Sequence, residues 1–68
     1  MRIWEERHHQ AEDHVLRGRQ TIERQRTLIV RQRGIGQKTT ASEALLASFE
    51  RSQVNFEGDL ARIESERD

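Results

Sequence analysis

Apolar and small residues in the first half of the chain fall at Trp4, Ala11, Val15, Gly18, Ile22 and Ile29, with Leu28 and Val30 flanking them. Their intervals are threes, fours and sevens, the spacing that gathers side chains into one stripe along an α-helix. The second half is cleaner. Leu46, Phe49, Gln53, Phe56, Leu60 and Ile63 follow one another at steps of 3, 4, 3, 4 and 3, a heptad seam interrupted by one polar position. Between the halves lies RGIGQKTTASE, residues 33–43. Gly34 is expected to close the first helix in the left-handed conformation, with Ile35 folding back onto its last turn. Arg31 and Arg33 then stand where cations complement the C-terminal end of the helix dipole. Thr40, with Glu43 three residues on, reads as a capping box that opens the second helix. The pattern predicts one domain over residues 1–68, with helix 1 at about 3–33, a turn at about 34–40 and helix 2 at about 41–66. The fold class is all-α: an antiparallel two-helix hairpin, coiled-coil-like, roughly 40 to 45 Å long at about 1.5 Å per residue.

Charge adds a register to this hairpin. Arg-x-Arg recurs at Arg17/Arg19, Arg24/Arg26 and Arg31/Arg33, and helix 2 carries Glu43, Glu50, Glu57 and Glu64, also seven apart. With Val15, Ile22 and Ile29 at heptad position a and Phe49, Phe56 and Ile63 at d, both Arg19/Arg26/Arg33 and the glutamates occupy e. Antiparallel helices bring e opposite e. The alignment pairs Arg33 with Glu43, Arg26 with Glu50 and Arg19 with Glu57, and all three pairs sum to 76. It also sets Ile29 near Phe49, Ile22 near Phe56 and Val15 near Ile63. Gly18 is expected to leave room for Leu60 or Phe56, and Gln25 to meet Gln53 in a polar layer. Each surface pair is worth about 0 to 1 kcal/mol, so the ladder sets register more than stability. Carried further, the alignment brings Glu12 against Glu64, a conflict that needs splayed helices or a second chain. Arg17, Arg24 and Arg31 lie at c, where they face solvent or a partner.

Composition points the same way. The chain of 68 residues has no proline, 32% hydrophobic and 35% charged residues, and a net charge of zero. Such low hydrophobicity favours disorder, but zero net charge and regular apolar spacing argue for helices. Sixteen sizeable apolar side chains spread over two helices are few for an independent core, which predicts a homodimer or other homo-oligomer, most simply a four-helix bundle. Another helical protein is the alternative partner. There is no cysteine for a disulfide or a thiolate metal site. The opening MRIWEERHHQ has no apolar leader core and no stretch reaches the length of a membrane span, so a cytoplasmic protein without membrane contact is expected.

Four constellations bear on chemistry. The arginine face of helix 1 suits nucleic-acid backbone, and the Rop-type RNA-binding hairpin dimer offers an analogy of architecture. Zero net charge and the lack of interleaved aromatic residues favour instead an ion-paired, solvated flank. Glu5/His8 and Glu6/His9 show the Glu-x-x-His spacing of carboxylate-bridged di-metal bundles. The expected seam of helix 2 is apolar except at Gln53, so no functional metal is assigned; Glu64 and Glu66 near His8 and His9 allow at most an adventitious terminal ion. Gly34–Ile35–Gly36 before Lys38 lacks the strand and the full spacing of a phosphate loop. Trp4 is read as a bundle-end plug or a dimer contact. No catalytic arrangement or cofactor loop is visible, and no enzyme activity is assigned.

His14, Gly18, Ile22, Gln25, Leu28 and Ile29, followed by Gly36, Thr39, Leu45, Leu46 and Phe49, resemble the pattern of short alphaproteobacterial proteins that look like stand-alone helical hairpins. The similarity covers most of residues 14–63, with Lys38 standing where an acid is usual and Ser42 where alanine is usual. The resemblance implies the hairpin and carries no assigned activity. The reading is a small, non-enzymatic protein–protein interaction or accessory module acting as a hairpin oligomer, with Arg17, Arg24, Arg31 and Trp4 as contact residues. The alternative is a Rop-like RNA-binding dimer using Arg17, Arg24 and Arg31.

Overall fold

The computed structural model describes residues 2–66, with Arg2 described through its main chain alone. Two helices account for nearly all of it: α1 spans Arg2–Gly34 and α2 spans Thr40–Glu66. They pack against each other as an antiparallel hairpin measuring 53 × 15 × 13 Å. The rod is longer than the sequence spacing suggests, because α1 runs unbroken for 33 residues and the turn projects beyond it.

The turn differs from the sequence reading by one or two residues at each side. Gly34 is still helical, and the left-handed residue is Gly36, with φ of +75°. Gln37 N donates to Gln32 O at 2.8 Å and Gly36 N to Arg33 O at 3.2 Å, the paired bonds of a Schellman cap. A residue without Cβ is required where φ is positive, and that place comes two residues later than Gly34. Ile35, expected to fold back, is 72% exposed. At the start of α2, Glu43 N donates to Thr39 O at 2.8 Å, so Thr39 rather than Thr40 occupies the capping position. Its hydroxyl donates to the Glu43 carboxylate at 3.1 Å. The capping-box reading at Thr40 fails because the helix begins one residue earlier than that spacing assumed.

The seam is narrow. Ala11, Val15, Ile22, Ile29 and Ile63 are its buried apolar residues, joined by Gln25 and Gln53, and among the described residues no large side chain is fully buried. Leu46, Phe49, Phe56 and Leu60 are half-buried. Two cylinders touch along one line, so side chains a little off that line keep one side in solvent.

The two buried glutamines do not meet in a layer. Gln53 Nε2 donates to Val15 O at 2.9 Å, and Gln25 Nε2 donates to Ser42 O at 2.8 Å. Each reaches across the seam to a main-chain carbonyl, which a helix presents with a spare lone pair. Gly18 makes room for Gln53, not for Leu60 or Phe56: a Cβ at residue 18 would overlap the Gln53 amide oxygen and stand 2.8 Å from its Cδ. That amide oxygen is buried without a hydrogen-bond donor.

Candidate functional site

The two flanks of the seam differ in chemistry. On the flank formed by the e positions, Arg33 Nη2 lies 2.6 Å from Glu43, Arg26 Nη2 3.3 Å from Glu50 and Arg19 Nη2 3.4 Å from Glu57. Only the rung nearest the turn is short. There the Glu43 carboxylate also accepts the Thr39 hydroxyl, which joins the cap to the ladder. All six side chains are half or more exposed or nearly so, and each pair contributes at most about 1 kcal/mol.

The open end removes the conflict between Glu12 and Glu64 by inserting His8. Its Nδ1 lies 3.4 Å from Glu12 and its Nε2 3.1 Å from Glu64. The His8 ring stacks on Trp4 at a centroid distance of 4.7 Å and an interplanar angle of 10°. Trp4 Nε1 donates to Ile63 O at 2.9 Å, tying the first turn of α1 to the last turns of α2. Trp4 therefore closes the end of the hairpin from within one chain. Arg7 pairs with Glu66 at 3.3 Å, so Glu66 turns to an arginine rather than to His9. Among the described residues, no group of three histidine, cysteine or carboxylate side chains is placed to hold a metal ion. Sequence reasoning missed the role of His8 because an i, i+4 step to Glu12 looks like any solvated helix pair until the other helix is in place.

The opposite flank carries no ladder. A groove there is lined by His14, Gly18 and Thr21 of α1 and by Phe49, Ser52 and Phe56 of α2. His14 packs on Phe56 with ring centroids 5.3 Å apart. Leu28 continues the His14–Thr21 row seven residues on, and Leu45 stands one helical turn before Phe49; they are 43% and 47% exposed. The signal for this flank is present in the sequence as a third heptad row, His14, Thr21, Leu28 and Ile35, hidden by its mixed polarity.

The three arginines left over by the ladder behave differently from one another. Arg17 Nε pairs with Asp13 at 3.0 Å, one turn back on its own helix. Arg24 reaches only the Thr21 hydroxyl, at 3.5 Å. Arg31 has no hydrogen bond or ion pair among the described residues. Arg24 and Arg31 border a surface hollow around Leu28, on the rim of the groove flank.

Among the described residues no helix is long and apolar enough to cross a membrane. Compared with known protein families, curated proteins and solved structures, the chain matches none.

Proposed function

We propose that the chain is a small, non-enzymatic interaction module of the cytoplasm that works as an oligomer of hairpins, most simply a homodimer forming a four-helix bundle. The observation that carries this reading is the shallow core: five apolar residues are buried, no large side chain is fully so, and two phenylalanines keep one side open. A chain of this size with so little enclosed apolar surface gains stability by covering the remainder with a partner. A second copy is the partner always present where the chain is made. Light scattering over a wide concentration range tests this. The expected mass is at least twice the 8.0 kDa of one chain, and a well-folded species of 8.0 kDa at micromolar concentration refutes it.

A second reading, RNA binding by a hairpin dimer, draws on Arg24 and Arg31, which lack carboxylate partners; Arg17 is engaged by Asp13. A mobility-shift assay at low salt decides it. Binding to phosphate backbone must weaken steeply as salt rises, and absence of a shift at low salt eliminates this reading.

A further inference from the structure

Intrachain pairing leaves an uneven remainder of charge. Cut across its middle, between Gly18 and Arg19 and between Glu57 and Gly58, the chain divides into two unlike halves. The turn half holds seven basic and four acidic side chains, the open half five basic and eight acidic. The unpaired groups follow the same division. Among the described residues, the cations with no carboxylate within ion-pair distance are Arg24, Arg31, Lys38 and Arg51, all in the turn half. The carboxylates with no cation are Glu5 and Glu6, both in the open half. A rod 53 Å long is thus positive toward one end and negative toward the other, although its net charge is zero.

Position around the helix sharpens this. Glu6 and Arg24 are 18 residues apart, as are Asp13 and Arg31. At about 3.6 residues per turn that is close to five whole turns, so the four side chains share one edge of α1, acidic toward the open end and basic toward the turn. The edge borders the groove flank, since Arg24 and Arg31 enclose Leu28 there. Across the groove, α2 presents Leu45, Ser48, Phe49, Ser52 and Phe56, none of them charged. An apolar strip bordered by a charge gradient is complementary to itself when reversed.

We infer that a second copy of the chain seats on the groove flank and runs antiparallel to the first, turn against open end. The inference rests on the self-associating reading above. A two-fold axis at mid-length makes the contact isologous, with each copy offering the same surface. Centred between Gly18 and Arg19, such a pair brings Arg31 level with Glu6 of the second copy and Arg24 level with its Asp13. Both contacts occur twice. The parallel arrangement would stack Arg24 on Arg24 and Glu6 on Glu6, so like charge disfavours it along the whole edge. The ladder flank has no comparable demand, because its arginines are already matched within the chain. The apolar strip supplies the association and the charged edge selects its direction.

The chain has no cysteine, so a single Lys38→Cys substitution at the turn takes one spin label without background. Lys38 is exposed and bonded to nothing among the described residues. Dipolar electron resonance on the labelled protein is expected to give a separation approaching the 53 Å length of the rod. A separation within about 20 Å, two helix diameters, means parallel copies and overturns the inference while leaving self-association intact. Absence of dipolar coupling at a concentration where light scattering also reports 8.0 kDa overturns the self-association reading itself, and this inference with it. Charge reversal gives an independent check. Arg31→Glu and Glu6→Arg are each expected to weaken the dimer by about tenfold, from two repelling contacts per dimer, and the combined variant to regain the original affinity. A combined variant no tighter than either single one overturns the antiparallel register.

Discussion

The contact between Gly18 and Gln53 offers a sharp test, because two general effects of replacing glycine by alanine oppose each other there. In a helix interior the change ordinarily stabilises by about 1 kcal/mol, since alanine loses less conformational freedom on folding. At residue 18 the added methyl would overlap the Gln53 amide oxygen, and Gln53 is only 5% exposed. The side chain must swing away and surrender its 2.9 Å bond to Val15 O. Losing that bond while the amide stays buried costs about 1–3 kcal/mol, and crowding in the seam adds to it. The net expectation for Gly18→Ala is a loss of about 1–2 kcal/mol. Gly58 is the control: it lies within α2, and a methyl carbon there would meet nothing within 4 Å, so Gly58→Ala should gain about 1 kcal/mol. Urea unfolding followed by the helical circular dichroism signal reads both, at one fixed protein concentration because association contributes to stability. In a Gly18→Ala/Gln53→Ala pair the clash is gone, and the double variant should lose less than the two single changes together. If Gly18→Ala stabilises the chain as much as Gly58→Ala does, the packing argument at the seam is refuted.

Gly36→Ala should cost about 1 kcal/mol because φ there is +75°, whereas Gly34→Ala, in a helical residue with open space around it, should be neutral or stabilising; the same unfolding assay separates them. A double-mutant cycle on Arg26 and Glu50 should return a coupling below about 1 kcal/mol that shrinks with added salt, and a salt-independent coupling would contradict an exposed ion pair. Replacing His8 by alanine leaves Glu12 and Glu64 without the group between them and strips Trp4 of its stacking partner, at a cost of about 1 kcal/mol. Tryptophan emission reports the opening directly, since Trp4 is the one tryptophan in the chain; an unchanged spectrum would mean that the stack does not hold the end closed.

Periodic features were the legible ones. The heptad rows carry enough information to place both helices, the turn between them and the three rungs Arg33–Glu43, Arg26–Glu50 and Arg19–Glu57, because identical spacing repeats the same signal several times. Single events were not legible. Whether Gly34 or Gly36 takes the left-handed place depends on which carbonyls the last turn leaves unpaired, and both glycines fit the sequence rule equally well. Thr39 and Thr40 pose the same ambiguity at the other side of the turn. The glutamines misled for a different reason: two polar residues expected at one level suggest a mutual bond, yet each found a closer acceptor in the opposing backbone. His8 lay outside any rule about one helix, since its position makes sense only when Glu64 arrives from the far end of the chain.

A ladder that repeats every seven residues has a weakness that its regularity conceals. Slid by one heptad, the helices would again form three rungs, with Arg33 against Glu50, Arg26 against Glu57 and Arg19 against Glu64. The charges cannot tell these two alignments apart, much as a ruler without numerals cannot report which centimetre is being read. The notch at Gly18 supplies the numeral. In the shifted alignment Gln53 would come level with Gln25, whose side chain occupies the space that Gly18 leaves open. One missing methyl group therefore makes an otherwise repeating surface unique, and the choice between alignments passes from long-range attraction to a local matter of shape.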